Sequence, residues 1–344
     1  GGGSVIMPAA SSYVAFVATA LPIFPFSIFG AGMLRSSGKM VVPSVMSVGM
    51  MSLDVVFNFF LIFPTRPVQL FGAEVTIPGM GMGVVGAAIG TVSAELVAAS
   101  ITMYILCFRS KELSLRIDTG RFLPTWGVVK RALHISLPMG LQQTIMCSAY
   151  VMTTIIIAPL GTFAIAANSF GVIVESLCYM PGYGIADAAT TLVGQSIGAG
   201  RHELMKRFAW LSVGLGVTVM AVMGVVMYVG APVAMAMMTP AEEVRRLGVE
   251  VLRIEAFAEP MFAAAIVSYG VFVGAAKTLV PSIMNLVSIW GVRISLAALL
   301  APSMGLRGVW IAMCIELCFR GFIFLVKLKF WNIQTSCNHY GKDQ

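Results

Sequence analysis

The chain has 344 residues, of which 58% are hydrophobic and only 11% charged, with a mean hydropathy of +0.91. Soluble domains carry about 25% charged residues, so a deficit spread along the whole chain excludes a soluble globular protein and marks an integral membrane one. The net charge of +7 does not point to nucleic acid, because the basic residues sit between apolar runs, where they report orientation in a bilayer.

The opening GGGSVIMPAA has neither the basic n-region nor the cleavage pattern of a signal peptide. The missing initiator Met fits a chain that begins inside a longer reading frame. Nine mostly apolar runs of membrane-spanning length follow, at about 11–34, 40–63, 83–108, 129–158, 162–195, 206–236, 246–274, 279–302 and 305–328. These runs predict an all-α, polytopic transmembrane bundle. The longest connection, 109–128 (RSKELSLRIDTGRFLPTWGV), is polar and basic. It divides a three-span region, 1–108, from a six-span region, 129–330, which is followed by a short tail, 331–344. No connection is long enough for a soluble catalytic domain, and no clustered nucleophile and base is visible, so an enzyme is not expected.

Assigning alternate loops to opposite sides collects 15 Lys and Arg on one side, among them Arg35, Lys39, Arg109, Arg201, Lys277 and Lys327. The other side receives 5: Arg66, Arg245, Arg246, Arg253 and Arg307. By the positive-inside rule the 109–128 linker and the C-terminal tail are cytoplasmic. The expected location is the inner membrane, multi-pass. The six cysteines, Cys107, Cys147, Cys178, Cys314, Cys318 and Cys337, lack metal-ligand spacing and read as packing residues. The histidines His134, His202 and His339 form no ligand set or triad.

The chain repeats itself. The segment Gly32 to Met46 aligns without gaps on Gly270 to Met284, with Gly, Lys, Pro, Ser and Met recurring at equal spacing. Gly83-Val-Val-Gly86 then matches Gly305-Leu-Arg-Gly308, the loop 64–82 being longer in the first copy. Spans one to three thus recur as spans seven to nine in the same orientation. Parallel repeats of this kind are typical of transporters with a midplane site between halves. A six-span unit would place three further spans before residue 11.

Acids inside spans carry the functional argument. A carboxylate at the centre of a membrane helix costs roughly 2.5–3.5 kcal/mol on insertion scales, so it faces a cavity or a partner. The stretch from Glu175 to Arg207 holds Glu175 near mid-run, a Pro181-Gly182 break where the helix is expected to bend, and Asp187 nearer the cytoplasmic end. Asp54 and Asn58 are four apart and share a face. Carboxylate and amide oxygens suit a proton or a hard cation, while the plain alternative is Asn58 merely satisfying Asp54. Glu255 and Glu259, also four apart, would repel on one face, so one of them is expected to stay protonated; otherwise Glu255 reaches solvent or pairs with Arg253. Glu316 pairs best with Arg320 one turn on. The expected coupling residues are therefore Asp54, Asn58, Glu175 and Glu259. Glu95, Gln143, Met146, Tyr179, Asp187 and Phe262 are the expected cavity residues.

Several segments together carry a family resemblance: GMLRSSGKMVVPS, GVVGAAIGT, HISLPMGLQQ, YMPGYG, ATTLVGQSIGAGR, YGVFVGAAKTLVPS, WGVRISLA and GLRGVWIA. In order and spacing, from about residue 11 to 330, the chain resembles the multidrug and toxic compound extrusion (MATE) transporters. The resemblance implies twelve helices in two six-helix lobes arranged as a V, exporting small cationic amphipathic compounds against H⁺ or Na⁺. No other cofactor or nucleic acid is implied, and a monomer in the lipid bilayer is expected. On that frame the nine spans correspond to helices four to twelve, so residues 1–108 are half of an incomplete N-terminal lobe and 129–330 a whole C-terminal one. The family's Asn-then-Asp order in the fifth helix is reversed here as Asp54 then Asn58. Acids of one branch fall at Met146 and Phe262, which favours proton over Na⁺ coupling. Two rival expectations are a lipid-linked precursor flippase of the same superfamily, which would want a more cationic cavity, and a fragment that transports nothing.

Overall fold

A computed structural model of the chain describes residues 6–70, 73–109 and 125–331. Most of the 109–128 linker and of the 331–344 tail, with Cys337 and His339, lies outside the described residues. The chain divides into two compact units, one up to Leu123 and one from Pro124. Among the described residues seven helices are long and apolar enough to cross a membrane, and two bent pairs make nine if each counts as one span.

The first unit starts with such a pair, α1 (Ile6–Ala20) and α2 (Phe24–Ser36), bent by 49°. Next come α3 (Val41–Ile62), the antiparallel strands β1 (Pro64–Leu70) and β2 (Ala73–Met80), and α4 (Gly83–Tyr104), which runs on as a π turn to Arg109. The hairpin occupies what the sequence reads as a long loop; it puts Val68 opposite Val75 and Leu70 opposite Ala73. The α4 face toward α3 is a small-residue stripe, Gly86, Gly90, Ala94 and Ala98, all buried. Small residues four apart let membrane helices approach backbone to backbone. A Cβ on Gly86 would stand 2.5 Å from the Leu61 carbonyl oxygen.

The second unit contains α5 (Trp126–Ile157), α6 (Thr162–Gly198), α7 (His202–Met238), the bent pair α8 (Glu242–Glu255) and α9 (Glu259–Gly274), α10 (Leu279–Leu286), a π turn (Val287–Ile294), α11 (Ser295–Met304) and α12 (Leu306–Lys329). Helices α6, α7, α8, α9 and α12 enclose the main core, with Ala167, Met220, Val267, Trp310 and Phe324 at its centre. α5 is largely exposed and packs on the π turn through Ala149, Ile289 and Ile294. Two sequence expectations change here. Pro181 and Gly182 do not interrupt α6, which runs unbroken from Thr162 to Gly198; Gly182 instead makes room for the Met220 thioether. Glu255 and Glu259 do not share one continuous helix, because the chain turns through 59° between them.

The repeat read from the sequence is matched bond for bond inside each unit. At the end of α2, Lys39 N–H donates to the Leu34 carbonyl and Gly38 N–H to that of Arg35. At the end of α9, Lys277 N–H donates to Phe272 and Ala276 N–H to Val273. Both are the paired C-terminal bonds that require a left-handed residue just past the helix. That residue is Gly38 in the first copy (φ +83°) but Ala276 in the second (φ +55°). A non-glycine there costs roughly 1–2 kcal/mol. Ala276→Gly is therefore expected to raise the thermal midpoint in detergent by the equivalent of about 1 kcal/mol. An unchanged or lowered midpoint in a melt of the purified variant contradicts this account of the turn.

Candidate functional site

Charge is buried at mid-span in both units, in different ways. In the first, Asn58 Nδ2 donates to Asp54 Oδ1 at 3.1 Å, one turn apart on α3, both residues half-buried. The approach depends on Gly90 of α4, where a Cβ would stand 2.5 Å from Asn58 Oδ1. That buried Oδ1 has no hydrogen-bond donor among the described residues. A carboxylate and an undonated amide oxygen side by side can accept a proton or a hard cation. Glu95 is buried on α4 among Ala94, Ala98 and Ala99 rather than lining an open surface.

The second unit gathers four acids and two arginines. Glu175 comes from α6, and Glu255 and Glu259 from either side of the α8–α9 elbow. Arg293 comes from the π turn, and Glu316 and Arg320 from α12. Glu175 is 7% exposed, Glu255 and Glu259 1% each, and Glu316 0%. The expected Glu316–Arg320 pair is present: Arg320 Nε lies 3.1 Å from Glu316 Oε1, an ion-pair contact whose N–H is not aligned as a hydrogen bond. Ser288 Oγ donates to the same Oε1 at 2.6 Å. The Arg320 guanidinium also lies 5.3 Å from the Phe262 ring centre, within reach of a cation–π attraction. Tyr179 meets that ring edge-on at 5.6 Å. Phe262, expected on a cavity wall, is thus a buried packing residue that lids the ion pair.

Glu255 and Glu259 differ from Glu316. Among the described residues none of their four carboxylate oxygens has a hydrogen-bond donor. Glu255 neither reaches solvent nor pairs with Arg253, whose guanidinium lies over the Tyr228 ring at 5.2 Å. Arg293 and Arg320 are the cationic neighbours of Glu175, and Glu175, Glu259 and Glu316 are acidic neighbours of Glu255. Fully ionised, the group carries two more negative charges than positive ones. Burying an unpaired carboxylate costs several kcal/mol, a cost that protonation or a bound cation would offset. Of the other expected cavity residues, Asp187 and Gln143 are exposed, while Tyr179 and Met146 are half-buried. The burial of Glu255, and the turn that aims Ser288 and Arg293 at α12, are not legible in the sequence. Only the five-residue spacing of those two in an apolar run hints at the turn.

A largely α-helical chain that spans the membrane several times and buries titratable groups inside its spans has the makings of a membrane transporter. Residues 138–299 match the family model MatE. A probable multidrug resistance protein NorM of Thermotoga maritima is 27% identical over 305 residues, covering 87% of this chain and 62% of that protein. One from Xylella fastidiosa is 29% identical over 68% of this chain and 50% of its own length. The chain therefore spans between half and two thirds of these relatives. Among solved structures, a variant of the Vibrio cholerae MATE transporter VcmN superposes with a TM-score of 0.83 at 17% identity, over 96% of this chain and 71% of that one. A MOP superfamily transporter from Pyrococcus furiosus gives 0.80 at 19%, over 92% and 68%; at such identity the likeness is one of fold. The MatE match over residues 138–299 and the NorM relatives support a MATE family transporter, a transporter rather than an enzyme.

Proposed function

We propose that the chain works as a cation-coupled efflux antiporter for small cationic amphipathic compounds, the activity suggested by the multidrug names of its relatives. The observation that carries the reading is the pair of undonated oxygen sets inside the bundle: Asn58 Oδ1 beside Asp54 in the first unit, and Glu255 and Glu259 beside Glu175 in the second. Filling and emptying these sets changes the charge inside each unit. Coupling arises when the filled and empty forms favour different conformations, alternately open to either side. Met146 and Phe262 at two positions where one branch has acids support H⁺ over Na⁺. The basic-residue bias supports an inner-membrane protein with a cytoplasmic C-terminus.

The test is transport by the purified chain in liposomes. An imposed pH gradient is expected to drive ethidium counterflow, and a Na⁺ gradient at equal pH on both sides is not. Counterflow driven only by Na⁺ reverses the ion assignment. Its absence under both gradients, with the chain folded, overturns the antiport reading.

A further inference from the structure

We infer that a groove between α10 and the C-terminal end of α12 holds an anionic phospholipid, with one acyl chain lying in the groove and the phosphate on Lys327. The groove has a volume of about 260 Å³ and is lined by Met284 of α10 and by Phe322, Ile323, Val326, Lys327 and Phe330 at or just past the end of α12. Pockets for a whole small molecule run to about 300–1,000 Å³, so this one suits a chain segment. All of its walls are apolar except Lys327.

Depth along the span decides the occupant. The helix Leu306–Lys329 is long and apolar enough to cross the membrane, and Lys327 stands near its end, where a lysine meets lipid headgroups. Trp331 follows just past the helix, in the place of an interfacial aromatic anchor. Phe322 lies about 7.5 Å further in along the helix, at the level of the acyl chains. The groove therefore joins the two zones that a phospholipid also joins. Phe322, Val326 and Phe330 are exposed, so a lipid reaches them from the bilayer without displacing protein.

Charge selects among lipids. Lys327 is exposed, and among the described residues no carboxylate lies within ion-pair distance of it. Lys329, and Lys277 in the turn that leads into α10, stand at the same end of these helices. Such a cluster favours headgroups with a net negative charge over zwitterionic ones, and it opposes the cationic amphiphiles proposed as cargo. The internal repeat offers a comparison. Counted from the shared Gly-x-x-Gly, the position of Lys327 is Ile105 in the first copy, so the pairing of these spans does not itself call for a cation there.

The inference does not depend on transport, so it is tested by equilibrium binding. Native mass spectrometry of the purified, delipidated full chain compares phosphatidylglycerol with phosphatidylcholine of the same acyl chains. The unaltered chain is expected to bind the first phosphatidylglycerol about fivefold more tightly. Lys327→Gln is expected to abolish that preference by weakening phosphatidylglycerol alone. Lys329→Gln removes the same charge from a residue outside the groove lining and is expected to keep the preference. Both lysines are exposed, so neither change touches the core. Ile323→Trp fills the groove and is expected to weaken both lipids. No preference in the unaltered chain overturns the proposal. Equal loss in the two lysine variants overturns it as well, because it shows diffuse attraction to a basic surface. Displacement of the lipid by inorganic phosphate, or binding undiminished in a folded Ile323→Trp chain, shows that no acyl chain lies in the groove and overturns it too.

Discussion

Asp54→Asn and Glu175→Gln are each expected to reduce pH-gradient-driven dye transport to background while the chain stays folded. Each exchange keeps the shape of the side chain and removes only its titratable charge. Asn at 54 can still accept from Asn58 Nδ2, which now reaches Asp54 Oδ1 at 3.1 Å, so the α3 turn keeps its local bond. Gln at 175 keeps the volume that α6 presents to the core, where Glu175 is 7% exposed. What is lost is the difference in interaction between protonated and empty states, and without a differential interaction a ligand shifts no conformational equilibrium. Asp187→Asn is the control, because Asp187 is exposed on the same helix, and it should transport normally. Gradient-driven transport retained by both the 54 and 175 variants rejects the site assignment. Loss in the 187 control alone moves the site to the end of α6.

The second large effect is on stability. Glu316→Ala is expected to cost about 3–5 kcal/mol, because removing one partner of a buried pair leaves an uncompensated charge. Here the stranded group is the Arg320 guanidinium, 6% exposed and pressed against Phe262. Ser288 Oγ loses its acceptor at the same time. The double change Glu316→Leu with Arg320→Met removes both charges and roughly preserves volume. Replacing a buried ion pair in this way is often neutral or stabilising, so the double variant should recover most of the loss. Thermal melts of the three proteins in one detergent check it. A double variant as unstable as Glu316→Ala shows that packing, and not the stranded charge, dominates there.

The nine spans were readable because a bilayer demands about twenty apolar residues per crossing, a demand that composition alone exposes. The bends in the first and seventh spans were not, although both belong to the repeat. Each depends on which neighbouring helix the apolar face packs against. The Glu316–Arg320 pair was legible because i and i+4 meet on any α-helix. Glu255 and Glu259 were misjudged by the same rule, since the 59° turn at Ala256–Ala258 breaks the helix on which it relies. The hairpin at 64–80 was read as a loop because Pro64, Pro67 and Pro78 interrupt the strand pattern.

The sequence by itself determined the membrane class, the order of the apolar runs, the internal repeat and the family resemblance. All of these follow from hydropathy and from spacing along one chain, which do not depend on distant contacts. It also supplied the mid-span acids as candidates. Tertiary structure alone decided which of them have no donor among the described residues and which one is paired with Arg320. The physical reason is that the cost of a buried charge is set by the groups packed around it, and packed groups come from positions 28 to 142 residues apart in sequence, as Ser288 and Glu316 or Asn168 and Trp310 illustrate.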